Sequence, residues 1–121
     1  MAPGGSPAGG RIMKVEGEYR AGCLRIVYSG ELDHHGAADA LRCSERLVDR
    51  YLPRDCALDF RNVAFMDSSG IALILRVYRQ MQETGGRVCV LGVGSQPGRV
   101  LAASGVERMV PIQYAEMRAA N

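Results

Sequence analysis

Asp67-Ser68-Ser69-Gly70 sets an acid, two hydroxyls and a glycine between an apolar run, Leu58 to Phe65, and a helical pattern. The run reads as a buried strand and its exit. Beyond it, Ile71, Ile74, Leu75, Tyr78 and Met81 recur at the spacing of one helix face, so the serines open a helix. At that position the first backbone N–H groups have no partner within the helix and the dipole is positive. An Asp or Ser oxygen is favoured there as a cap, and a phosphate is tolerated. Ser68 is thus a helix cap or a hydroxyl presented for modification. Asp67 has three open roles: to cap the helix, to hold the Ser68 hydroxyl, or to help a modifying enzyme recognise the site. Ser69 reads as a structural hydroxyl rather than a second acceptor. Gly70 has no Cβ, which lets another chain approach the helix start closely.

Asp33-His34-His35 is the other cluster with chemical content. Adjacent histidines on a loop rarely aim at one ion, and the chain has no further histidine to complete a ligand set, so neither a metal nor a cofactor is expected. Asp33 reads as the cap of the following helix, with His34 or His35 solvated. A serine hydrolase built from Ser68, His34 and Asp33 lacks the Gly-x-Ser-x-Gly elbow, and an aspartate next to the histidine in sequence is poorly placed to orient its imidazole. Gly92 to Gly98 resembles a phosphate loop only superficially: the Gly-Lys-Ser/Thr ending is missing and Pro97 removes a backbone donor. It reads as an ordinary strand-to-helix loop, and no catalytic residue is assigned.

These residues need a scaffold, and the chain predicts one. Residues 1–10 hold too little apolar surface to offset the entropy of ordering them and read as a tail, leaving 11–121 as one domain. Ile12 to Tyr19 and Cys23 to Ser29 suit two strands joined by a short turn at Arg20-Ala21-Gly22. Ala37, Ala40, Leu41, Ser44, Leu47, Val48 and Tyr51 line the inward side of a helix that Pro53 stops. Ala57 to Phe60 is the next strand, and the serine helix runs from about Ser68 to Glu83 and ends at Gly85-Gly86. Val88 to Leu91 reads as a central buried strand, Ser95 to Ala103 as a short helix capped by Ser95, and Met109 to Ile112 as the last strand, with a helical turn after Tyr114. The order β-β-α-β-α-β-α-β describes an α/β fold whose mixed sheet opens on a hairpin and carries its helices mainly on one face. Ala72, Arg76, Arg79 and Glu83 form the outer side of the serine helix. Ala72 is small and sits one turn from Ser68, so this side, with Arg76, is expected to begin as a docking surface.

Composition excludes several function classes. A chain of 121 residues with net charge +2 and scattered arginines has no basic stripe for nucleic acid and no polybasic segment for a membrane. Protein partners are expected instead. Cys23, Cys43, Cys56 and Cys89 lie far apart with no Cys-x-x-Cys pair, and read as reduced packing residues. No apolar stretch approaches the length of a membrane span and no secretory leader is apparent, so the cytoplasm is the expected location.

Phe65-Met66-Asp67-Ser68-Ser69-Gly70, together with Gly30-Glu31-Leu32-Asp33-His34-His35 upstream, resembles the STAS-domain anti-sigma factor antagonists of spore-forming and related bacteria, most closely those of the sporulation subgroup. The similarity continues through Tyr78-Arg79-Gln80, Gly85-Gly86 and Ser104-Gly105-Val106, covering about Met13 to Tyr114. The resemblance implies a switch rather than an enzyme. The unphosphorylated form would bind an anti-sigma factor that is also a serine kinase and so free a sigma factor; phosphorylation of Ser68 by that kinase would undo binding, and a phosphatase would restore it. It also implies that Asp33 and His34 lie beside Ser68 on the partner surface, which with Asp67, Ser69, Gly70, Ala72 and Arg76 makes the expected contact set. Two alternatives within the same family are a general-stress antagonist and a STAS subunit of another assembly, such as a stressosome or a lipid transporter.

Overall fold

The computed structural model describes residues 13–115, so the tail over 1–10 and all but the first residue of the stretch after Tyr114 lie outside the described residues. Strand β1 (Lys14–Arg20) turns through Ala21 and Gly22, whose φ angles of 50° and 85° are both positive, into β2 (Cys23–Leu32). A two-residue turn of that hand matches the twist of an antiparallel pair, and glycine takes its second position without strain. From β2 onward the strands are parallel: β3 (Asp55–Met66), β4 (Arg87–Val93) and β5 (Ile112–Tyr114), in the spatial order β1-β2-β3-β4-β5. The connecting helices are α1 (His34–Tyr51), α2 (Ser68–Glu83) and α3 (Ser95–Ser104). Each crossover steps the same way across the sheet, and right-handed crossovers then stack the helices on one face. The expected element order and fold class are what is observed, with one added 3-10 turn at Val106–Arg108.

A single core joins the helices to that face. Leu24, Ile26 and Tyr28 from β2 and Leu58 and Phe60 from β3 meet Ala40 and Val48 of α1, Ile74 and Val77 of α2 and Leu101 of α3. The buried Ser44 hydroxyl donates to the Ala40 carbonyl at 2.8 Å, leaving its oxygen to accept from Tyr28 Oη at 2.6 Å, so the two buried polar groups satisfy each other. The α1 face is as expected. The α2 face is rotated from the expected one: Leu73 and Val77 are buried, while Ile71, Leu75 and Tyr78 are only half-buried at its flank.

Other boundaries also differ for physical reasons. β3 continues past Phe60 to Met66 because it remains paired with β2, through register shifts, to Leu32↔Met66 after its last pair with β4, Asp59↔Leu91. The final strand begins at Ile112 rather than Met109, since the N–H groups of Arg108, Met109 and Val110 return to Gly105 and Val106. β4 has a neighbour on each side, but β3 is the central strand. The cap of α3 is Gly94, not Ser95, and no side chain bonds there. All four cysteines are free thiols, with Cys56 buried and pushed up to about 12 by burial. No helix among the described residues is long and apolar enough to cross a membrane.

The opposite face of the sheet carries a buried charge. Asp59, 1% exposed, accepts from Arg25 Nε at 3.0 Å and from the Arg61 N–H at 2.9 Å. Burial pushes its carboxyl up, but those bonds and the two guanidinium charges outweigh it, and the group titrates below the usual carboxylate range. Asp59→Asn is therefore expected to cost ~2 kcal/mol at pH 7, as for hydrogen bonds to a charged group. A depressed folded-state pKa stabilises fully above the unfolded value of about 3.9 and ceases to do so as pH falls through the folded value. Urea unfolding of both proteins from pH 7 to pH 2 checks this: the gap between them should close only below about pH 4.

Candidate functional site

Two helix starts stand side by side at the end of the sheet because their strands are in register. Leu32 pairs with Met66, so the next residues, Asp33 and Asp67, occupy equivalent positions, and the Asp67 N–H reaches the Leu32 carbonyl at 3.3 Å. Each aspartate caps its own helix. Asp33 Oδ1 accepts from the N–H groups of Gly36 at 2.8 Å and His35 at 3.0 Å, and these bonds, led by Gly36, hold its carboxyl below the usual range. Asp67 Oδ1 accepts from the Ser69 N–H at 2.8 Å, while the Asp67 carbonyl accepts from Gly70 at 3.0 Å. Of the roles open to Asp67, capping is the one seen.

Ser68 is the first residue of α2 and is exposed, whereas Ser69 is half-buried. Ser69 and Ala72 face α1 across a groove of about 220 Å³ whose other wall is His34, Ala37 and Leu41. The structure thus brings Asp33, His34, Asp67, Ser68, Ser69 and Ala72 together. His34 and His35 are both exposed with ring centroids 4.2 Å apart, and among the described residues no three His, Cys, Asp or Glu side chains converge as a metal site would require. The Asp33 carboxylate is spent on backbone amides, and among the described residues no hydrogen bond joins His34 to Ser68. A relay from Asp33 through His34 to the serine is not assembled.

Two of the expected contact residues also have neighbours inside the domain. Gly70 is buried, and a Cβ there would stand 2.7 Å from Met66 Sδ. The missing side chain makes room for Met66 inside the domain. Arg76 lies two turns along α2, about 12 Å from Ser68 at 1.5 Å per residue. It pairs with Glu45 of α1 at 3.0 Å, which ties it to the neighbouring helix. Two residues at the site were not picked out from the sequence. Phe65, read there as strand exit and as part of the motif but given no role of its own, is 39% exposed two residues before Asp67. Gln96 bonds the Met66 backbone from the first turn of α3. An aromatic residue three positions before the serine was a readable signal for Phe65; nothing local marked Gln96. A larger cavity, about 570 Å³, is lined by α3 and β5 residues such as Arg99 and Tyr114 and shares none with the groove.

The STAS domain family pattern matches residues 14–119. The chain is 34% identical over 108 residues to the anti-sigma F factor antagonist of Paenibacillus polymyxa, covering 88% of this chain and 92% of that protein. In structure it is similar to an anti-sigma factor antagonist from Mycobacterium paratuberculosis, with a TM-score of 0.76 at 21% identity over 87% of each chain. It is also similar to the Bacillus cell fate determinant SpoIIAA in its phosphorylated form, with a TM-score of 0.62 at 24% identity over 83% of this chain and 89% of that one. The two structural likenesses bear on the fold, while the sequence match spans both paired helix starts, and on these grounds the chain belongs to the STAS domain family, among its anti-sigma factor antagonists.

Proposed function

We propose that this protein is a phosphorylation-controlled antagonist that binds an anti-sigma factor serine kinase when Ser68 is free and releases it when Ser68 carries phosphate. The observation that carries the reading is the placement of Ser68: exposed at the first position of α2, with the adjacent acid already engaged as the cap. A phosphate there adds nearly two negative charges beside the positive end of a helix, where the domain tolerates them. The same charge beside Asp67 and a kinase's bound nucleotide is repelled, so inhibition acts on the complex and not on the fold. The kinase supplies ATP and its metal; a separate phosphatase restores binding. The chain acts as a switch without chemistry of its own, in the cytoplasm, and Gly30 to His35 favours a sporulation sigma factor as the one released.

The test is mass mapping after incubation with the kinase and ATP. Phosphate is expected on Ser68 alone, with Ser68→Ala reducing incorporation at least tenfold. Phosphate found mainly on Ser69, or full incorporation into Ser68→Ala, refutes the assignment.

A further inference from the structure

Met66, two residues before Ser68, is held on both edges and from below. On one edge it is in register with Leu32 of β2. On the other, where β4 has already left β3 after Asp59↔Leu91, a side chain takes the place of the missing strand: Gln96 Oε1 accepts from the Met66 N–H at 2.9 Å, and Gln96 Nε2 donates to the Met66 carbonyl at 3.1 Å. This is the paired bonding a neighbouring strand would offer, delivered by one carboxamide from the first turn of α3. Beneath, the Met66 side chain fills the space left by Gly70 in the first turn of α2. The segment that presents Ser68 therefore starts from a backbone unit fixed by α3, an element that contributes no residue to the α1–α2 groove.

We propose that Gln96 is a positioning residue for Ser68: its carboxamide fixes the end of β3 and thereby the angle at which the hydroxyl is offered to the kinase. The inference rests on the phosphoacceptor reading of Ser68. It assigns α3 to the switch, a role separate from the groove that α1 and α2 form. Because a small misplacement of a reacting group lowers the rate of the step more than the affinity, the effect belongs in kcat rather than KM.

Gln96→Met keeps the length of the side chain and removes both bonds. Leu101→Val, in the same helix and fully buried, perturbs α3 while leaving both Gln96–Met66 bonds in place, and serves as the stability control. With all proteins shown fully folded by circular dichroism at the assay temperature, Gln96→Met is expected to exchange the Met66 amide at least tenfold faster. Its kcat for phosphorylation should fall about tenfold with KM within twofold, while Leu101→Val matches wild type in all three. Unchanged Met66 exchange in Gln96→Met, a wild-type kcat, or an equal fall in Leu101→Val overturns the proposal. Absence of phosphate on wild-type Ser68 overturns the function reading itself. The Met66 exchange, measured without kinase, tells that failure apart from a failed clamp.

Discussion

Ser68→Asp is expected to weaken kinase binding about 100-fold, close to 3 kcal/mol, while leaving the melting temperature within a few degrees of wild type. The two halves of this expectation have one cause. Ser68 is exposed at the first position of α2, so a carboxylate there meets water and the positive end of the helix and costs the fold nothing. The same carboxylate stands beside Asp67, whose own oxygen is committed to the Ser69 N–H and does not move away. A partner that closes over this end of the sheet must then desolvate two neighbouring acids. Calorimetric titration against the kinase measures the first half and thermal unfolding the second. A melting point lowered by ten degrees or more would place the effect in the domain instead, and wild-type affinity would remove Ser68 from the interface. Aspartate carries less charge than phosphoserine, so the phosphorylated protein should bind more weakly still.

The parts of this site that were legible in the sequence are those that local rules specify. Asp33 and Asp67 cap their helices through amides two and three residues away, and the limits of α2 follow from a cap and a glycine pair close at hand. The parts that were not legible depend on partners distant in sequence. Gln96 reaches Met66 across 30 residues, and its loop carries no motif that marks the contact. Gly70 fits against a side chain at the end of the preceding strand, so its reason appears only once Met66 is seen to turn under the helix. The α2 face was misjudged because the helix is apolar round much of its circumference, and periodicity alone did not separate Leu73 and Val77, which are buried, from the flanking Ile71 and Leu75. Asp59 sits in the continuously buried stretch from Cys56 to Phe60 and gave no sign that Arg25, 34 residues earlier, lies across it.

Ala72→Arg should damage kinase binding at least tenfold more than Glu83→Arg, because only the first lies on the groove beside Ser68. Ala72 is exposed, one turn from Ser68, and shares the groove wall with Ser69 and Leu73 opposite His34. An arginine there puts a long charged side chain at the groove of about 220 Å³, which any partner surface entering the groove has to displace. Glu83 is the last residue of the same helix, about 22 Å from Ser68 at 1.5 Å per residue, and is also exposed. Both substitutions replace a solvent-facing residue in a helix with a good helix former, so each should change stability by less than ~0.5 kcal/mol. Urea unfolding verifies that before binding is compared. Titration of both variants against the kinase then decides between two placements of the interface. Loss confined to Ala72→Arg locates it over the paired starts of α1 and α2. Loss confined to Glu83→Arg would move it to the far end of α2, where a phosphate on Ser68 lies too distant to repel a partner directly, and control by Ser68 would then require a change transmitted along the helix.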